Sequence, residues 1–241
     1  SRPPRRSSAS CRHRGAPLTR EASGCERRFT CPYHAWTYKL DGSLGAIPNA
    51  EGFVGVERSE LGLVRLACEE RHGFIWVVLS EGVAIDVAGF LGAELDDELG
   101  SWQLDTYGLQ RSTTLSEQTN WKLIVDGFLE TYHLKFLHAN TVGPYLRSNL
   151  GPFNAFGPHG RMAIVRSRYD GETSTGGRFL RDVGVVYTIF PNTVLVWQTT
   201  HFERWAMVPH LDDPGRCTAY ASLLAPVAEF PDVAKWEKNW K

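Results

Sequence analysis

No apolar run in this chain comes near the ~18–20 residues that a membrane span requires. The strongest, Gly73–Leu79 and Thr193–Trp197, hold seven and five residues, so no membrane partner is expected. The opening Ser1-Arg2-Pro3-Pro4-Arg5-Arg6 has no apolar stretch behind it, so no secretory signal is expected. Cysteine is scarce and odd in number, with five at 11, 25, 31, 68 and 217. That count and irregular spacing argue against a disulfide framework and for a reducing, cytoplasmic setting. Net charge is nearly absent, at −1 from 26 Lys+Arg and 27 Asp+Glu. The one asymmetry is terminal: residues 1–28 hold eight Arg against two Glu. No recognition helix or aromatic RNA-binding pattern accompanies this basic end, so no nucleic-acid partner is expected. What the chain has is 42% hydrophobic and 22% charged residues over 241 positions, enough to bury a core in one large domain or two modest ones. Residues 1–10, rich in Pro, Ser and Arg, are expected to form a disordered tail.

Two of the cysteines stand beside histidines. Cys11-Arg12-His13 and Cys31-Pro32-Tyr33-His34 form two Cys/His pairs separated by 17 residues rich in Gly, Pro and Arg, so two loops could close on one metal centre. Four such ligands can hold a tetrahedral zinc. A zinc finger, however, places both Cys first and both His later on a helix, whereas here each loop supplies one of each. Mixed pairs suit a two-iron cluster with one iron on two thiolates and the other on two imidazoles.

The flanks, Cys11-Arg-His-Arg-Gly-Ala-Pro-Leu18 and Cys31-Pro-Tyr-His-Ala-Trp-Thr-Tyr38, closely resemble the cluster loops of Rieske non-haem iron oxygenases, the large (alpha) subunits of aromatic ring-hydroxylating dioxygenases and related monooxygenases. The resemblance makes Cys11 and Cys31 thiolate ligands of one iron of a [2Fe-2S] cluster and His13 and His34 imidazole ligands of the other. Cys25 has no second loop cysteine to pair with, so the disulfide of the respiratory-complex type is not available. Asp41-Gly42-Ser43 marks a turn between short strands and His72–Leu79 a closing strand, giving a small β domain over 11–82 whose N-terminal strands, by the family pattern, are missing.

A second constellation spans Asn120 to His138. Apolar residues at 121, 124, 125, 128, 129, 132 and 136 follow the 3.6 period, predicting one helix with a buried face. Asp126, Glu130 and His133 fall on one stripe, while His138 lies about 140° round from His133 on a regular helix. For both histidines to reach one metal, the helix must loosen or end near here, and Gly143-Pro144 supports an ending. By themselves, two histidines on an amphipathic helix are core or surface residues about as often as they are metal ligands. Glu130-Thr131-Tyr132-His133 also has the Glu-x-x-His spacing of di-iron carboxylate bundles, but the other instance, Glu69–His72, opens a β-rich run and four long helices are lacking.

The Glu130–His138 stretch closely resembles the mononuclear-iron motif of the same oxygenases. That resemblance implies that His133 and His138 bind ferrous Fe(II), as two members of the facial triad that leaves positions open for dioxygen and substrate. It gives Glu130 the role of an acidic link between an iron histidine and a cluster histidine of the neighbouring subunit in a ring, a homotrimer or trimer-based assembly; the alternative is a hydrogen bond that only fixes the His133 tautomer. The family's third ligand is an Asp on a helix after a Trp-rich stretch like Trp236–Trp240. Asp212 and Asp213 sit in a turn and Asp232 at an N-cap position, so the third carboxylate is expected beyond Lys241, with the C-terminal helix of the catalytic domain missing.

Runs of strand type at Gly184–Phe190, Thr193–Thr200 and Cys217–Leu224 predict an antiparallel sheet, and the Ile85–Leu99 segment a solvated connecting helix. Cys217 and histidines 159, 201 and 210 are assigned to core or rim. The expected fold class is α+β: the small antiparallel domain followed by a catalytic domain over 83–241 that the resemblance makes a helix-grip-like sheet. The implied activity is that of a terminal oxygenase component, served by a ferredoxin or a flavin-containing NAD(P)H-linked reductase, that spends dioxygen on hydroxylating an aromatic or related small organic substrate. Two rivals stand beside it: a Rieske-type electron carrier, which has no use for His133 and His138, and a zinc-binding interaction module.

Overall fold

The computed structural model describes residues 6–7, 10–21, 24–169 and 179–229. The chain divides into two units, Ser1–Phe90 and Leu91–Lys241.

In the first unit, β2 (Arg28–Thr30), β3 (Thr37–Lys39) and β4 (Leu44–Ala46) form a three-stranded antiparallel sheet in sequence order. The β3–β4 turn is an Asx turn: Asp41 Oδ1 accepts from the Ser43 N–H at 2.8 Å and its hydroxyl at 2.6 Å, while Gly42 takes φ +83° at no Cβ penalty. A hairpin joins β6 (Cys68–Arg71) to β7 (Phe74–Val77). His72, expected within the strand, is instead a turn residue, because His72 and Gly73 both take positive φ, 52° and 74°, as a tight right-twisting hairpin demands. Part of the expected disordered tail, residues 1–5 and 8–9, lies outside the described residues. Arg6–Ser7 (β1), however, pairs with Arg65–Leu66 (β5), and Ser10 bridges to Pro17. Ladder hydrogen bonds thus hold a composition that buries little surface of its own. The core gathers Cys11, Leu18, Cys31, Trp36, Tyr38, Ile47 and Leu63.

The segment expected to be a solvated connecting helix breaks in two. Helix α1 covers Val87–Leu91 and α2 Ala93–Ser101, with Gly92 between them at φ +78°. Leu95 and Leu99 of α2 are buried at the i, i+4 spacing of one helix face, and Leu91, the last residue of α1, is buried as well. The four acidic residues between 94 and 98 masked these leucines in the sequence, and one of the four, Asp96, is itself buried.

The second unit is built on a seven-stranded antiparallel sheet in the order β8-β14-β13-β12-β11-β10-β9. Its strands are β8 (Tyr107–Glu117), β9 (Phe153–Phe156), β10 (His159–Val165), β11 (Val183–Ile189), β12 (Thr193–Trp197), β13 (Phe202–Pro209) and β14 (Cys217–Pro226). Strands β9 to β14 run as a meander, and the earlier β8 adds to the outer edge of β14. Helices α3 (Trp121–Gly127) and α4 (Leu134–Leu137) fall between β8 and β9, and α5 (Phe179–Asp182) precedes β11. Strand β12 stops at Trp197, short of the expected Thr200, because Thr199 turns at φ +69°.

Alternation along the strands gives the sheet two different faces. On one, Met162, Val186, Val194, Val196, Met207 and Ala219 receive Trp121, Ile124, Val125 and Phe128 from α3 and its end. On the other, α2 docks through a polar clasp. Trp102 Nε1–H donates to the Tyr187 hydroxyl at 2.7 Å, which donates to Glu98 Oε1 at 2.5 Å, and Arg161 also binds Glu98. Tyr187 is fully buried and its burial raises its pKa far above the ordinary phenol range. Tyr187→Phe should strand the Trp102 N–H and cost about 1–3 kcal/mol. Differential scanning calorimetry should register this as a fall of about 2–4 °C in Tm for each kcal/mol; an unchanged Tm would show that α2 is held by apolar contact alone.

Candidate metal centres

The two Cys/His loops are built alike. In the first, the Cys11 N–H donates to Ala16 O and Gly15 N–H to Cys11 O, both at 2.8 Å; in the second, Cys31 N–H donates to Trp36 O at 2.8 Å and Ala35 N–H to Cys31 O at 2.9 Å. Each turn therefore needs a left-handed residue four places after its cysteine. Gly15 fills that place at φ +68° and Ala35 at φ +56°, the latter carrying the Cβ strain of that region. The fold thereby brings the loops together: Cys11 and Cys31 share the buried core, and the rings of His13 and His34 lie 4.6 Å apart.

Sequence reasoning passed over the residues that surround these ligands. Trp36 stacks on His13 at 4.8 Å and 8°, and Phe53 meets it edge-on at 6.1 Å. Tyr38 is fully buried; its hydroxyl accepts from the Arg12 N–H at 3.0 Å and lies within hydrogen-bond reach of Cys11 Sγ at 3.3 Å. The signal was present as aromatics at alternate positions after His34, which enter a strand with one face inward. Burial of Cys31 would raise its pKa, yet the N–H groups of Tyr33 and His34 aimed at its sulfur bring it below the ordinary thiol range. Burial, His34 and Arg14 lower the pKa of His13 and favour the neutral imidazole.

These donors fit a two-iron cluster. His13 Nδ1 is buried with no hydrogen-bond partner, an orphaned lone pair that a metal would satisfy.

The second centre corrects the single helix expected over 120–138. Helix α3 ends at Gly127 and α4 begins at Leu134, with His133 and His138 as the residues flanking α4. Tertiary hydrogen bonds replace the missing turns: the Ser148 hydroxyl lies 3.1 Å and 3.0 Å from the carbonyls of Thr131 and Tyr132, and Thr131 Oγ1 accepts from the Leu150 N–H at 3.0 Å. As a result Tyr132 and Phe136, expected on the buried face, are exposed. Asn120 caps α3 by accepting from the Lys122 N–H at 3.0 Å, and its Nδ2 donates to Pro214 O at 2.8 Å, tying the helix to the turn that holds Asp212 and Asp213. Asp213 accepts there from the Gly215 N–H at 2.9 Å. Asp232 and Trp236–Trp240 lie outside the described residues.

Glu130 accepts from both the His133 N–H and its ring Nδ1. Burial alone would raise its carboxyl pKa, but these bonds hold it below the usual range. With Nδ1 occupied, His133 presents Nε2 as its free donor, the arrangement expected of a metal-binding imidazole. The His133 and His138 rings are 5.3 Å apart at 65°, and these two donors suit two positions on one ferrous ion.

Gly143 fixes the far end of α4. Its N–H donates to His138 O at 2.9 Å, and a Cβ there would stand 2.4 Å from Leu134 O and 2.7 Å from His138 O. Gly143→Ala must therefore displace backbone. A loss of about 1–3 kcal/mol in thermal unfolding and weaker ferrous-iron binding in titration are expected; unchanged iron binding would detach His138 from the site.

Comparison with known proteins agrees with this layout. Residues 5–63 match the Rieske [2Fe-2S] domain and residues 104–239 the ring hydroxylating alpha subunit (catalytic domain). The chain is 37% identical over 135 residues to the glycine betaine monooxygenase oxygenase subunit of Chromohalobacter salexigens, covering 53% of this chain and 28% of that one. It is 35% identical over 139 residues to the anthranilate 1,2-dioxygenase large subunit of Acinetobacter baylyi, covering 55% and 29%. A quaternary ammonium Rieske monooxygenase solved with L-carnitine shares its fold at TM-score 0.77 and 20% identity, over 97% of this chain and 62% of that one. The chain thus matches less than a third of the length of these curated relatives and under two thirds of the solved chain. With the catalytic-domain match spanning more than half of its residues, the chain belongs to the ring-hydroxylating alpha-subunit family, with a Rieske domain preceding the catalytic one.

Proposed function

We propose that this chain is part of a terminal oxygenase component. In this reading Cys11, His13, Cys31 and His34 hold a [2Fe-2S] cluster, and His133 and His138 hold a mononuclear ferrous ion whose third ligand is a carboxylate from outside the described residues. The cluster domain covers 11–82 and the catalytic domain 83–241. The observation that carries the reading is the Glu130–His133 pair, which leaves Nε2 free beside His138 in a chain that also carries the twin Cys/His loops. A plain electron carrier has no use for that arrangement.

When bound, the cluster supplies single electrons and the ferrous ion activates dioxygen for insertion into an organic substrate. The protein's own part is positional. Trp36 and Phe53 pack round His13, the Tyr38 hydroxyl would donate to Cys11 once that sulfur is a thiolate ligand, and Glu130 keeps the His133 proton on Nδ1.

Tyr132, Phe136, Leu137 and Tyr145, next to the iron histidines in sequence, are 63–76% exposed. An apolar surface of this kind marks an interface and supports assembly of several copies, a homotrimer in the reading adopted here. A ferredoxin or flavin-containing reductase drawing on NAD(P)H would deliver the electrons, in the cytoplasm. The substrate is aromatic or a related organic molecule; hydroxylation of an aromatic ring in hydrocarbon catabolism is the narrower form of this reading, supported by the relative named for anthranilate. The test is turnover with labelled dioxygen, reductase and ferrous iron, using this chain with a complete catalytic domain. Label in the product is expected; electron uptake with no label in any product would leave only the electron carrier.

A further inference from the structure

The two edges of the seven-stranded sheet differ. Strand β9, at one edge, has four residues, too few to offer much to another chain. Strand β8, at the other, has eleven, and among the described residues no strand pairs with its outer side. Its outward N–H and C=O groups are therefore a template for a further strand. The usual protections of such an edge are few. Strand β8 contains no Pro and no Lys, and its one irregularity against β14 falls at Leu223/Leu224, ahead of Arg111. Over residues 111–117 the register with β14 is unbroken, and residues 112–116 are exposed.

The strand carries two charges, Arg111 and Glu117. Neither is ion-paired among the described residues. Because side chains alternate along a strand, both stand on the face that also presents Thr113 and Leu115. We propose that β8 is an interface between two copies of this chain, paired antiparallel about a two-fold axis at Thr114. Arg111 then faces the partner's Glu117 and Glu117 the partner's Arg111, while Thr113 faces the partner's Leu115 and Ser112 the partner's Ser116. A two-fold contact repeats each pair, and opposite charges directly across a ladder favour it. No other antiparallel register sets the two charges opposite each other, so the charges also fix the register. Thr113 and Leu115 belong to the wall of a cavity of about 260 Å³ that Glu203, Trp205, Ala221 and Leu223 also line, and the partner's Leu115 and Thr113 would continue that wall. The contact rests on no part of the oxygenase reading, and it doubles whatever unit it joins, a single chain or a ring.

The test is sedimentation equilibrium of the chain from roughly 1 to 200 μM, with amide hydrogen exchange of peptides covering residues 111–117. The mass should double as concentration rises, and those amides should exchange more slowly as it does. Arg111→Glu places like charges opposite each other at both ends of the contact and should weaken association about ten-fold or more, as should Glu117→Arg. A one-to-one mixture of the two variants, in which opposite charges face each other again, should recover it. Absence of doubling, doubling without protection of 111–117, or variants that associate as tightly as the wild-type chain would overturn the proposal. So would a mixture that stays apart although both variants unfold as cooperatively as the wild type. If one variant fails to fold, the other decides together with the exchange pattern. The same measurements on the chain with a complete catalytic domain separate the possible occupants of the edge: doubling there supports a second copy, and protection of 111–117 that is independent of concentration would place a further segment of the same chain on β8 and refute the proposal.

Discussion

His34→Ala is expected to leave the chain without its cluster. Acid-labile sulfide and the visible absorption of the iron–sulfur centre should fall below about a tenth of the wild-type values, because one iron loses one of only two protein ligands. The His34 ring is 4.6 Å from His13, and no other imidazole among the described residues pairs with His13. The neighbouring Tyr33, stacked on His34 at 3.9 Å, provides a control: Tyr33→Phe keeps the ring and should keep the cluster. Loss of metal binding also removes folding free energy, on the order of 10 kcal/mol for tightly held structural metals, and both cysteines sit in the core of the first unit. His34→Ala should therefore also lower the thermal stability of that unit. Full sulfide content in this variant would mean that another residue is the ligand.

The second large effect concerns Glu130. Its two carboxylate oxygens both engage His133, the proposed iron ligand, while its side chain remains 45% exposed, so the group that positions the imidazole is also within reach of a partner. Glu130→Gln, made in the chain with a complete catalytic domain, should reduce product formation by about 10–100-fold, with the deficit persisting when ferrous iron is saturating and both metals are bound. That outcome identifies an electron relay between subunits. Full recovery of turnover at high iron would show instead that Glu130 only orients His133, with iron affinity and activity falling together.

The two proposed ligand sets could be singled out because metal chemistry constrains residue type and spacing locally. A cysteine and a histidine two or three residues apart must share a tight turn, and the turn geometry at Gly15 and Ala35 bears this out. The meander from β9 to β14 was legible for a similar reason, since consecutive strands pair with their neighbours. What escaped depended on distant partners. The helix over 120–138 breaks because Ser148 and Leu150 bond to Thr131 and Tyr132, and no periodicity records a competitor 16 to 19 residues away. The buried leucines 91, 95 and 99 were hidden among acidic neighbours, one of which, Glu98, is bound by Arg161 and Tyr187. Glu203 and Trp205 come to line one cavity only after β8 and β14 close round β13, which no local pattern records.

Mixed ligation of a two-iron cluster by the two Cys/His loops is tested by electron paramagnetic resonance of the dithionite-reduced protein, expressed with iron and sulfide, read together with metal and sulfide analysis. A reduced-state signal from a two-iron centre with coupling to two imidazole nitrogens is expected, abolished by either His13→Ala or His34→Ala. One tightly bound zinc, no acid-labile sulfide and no signal would contradict it.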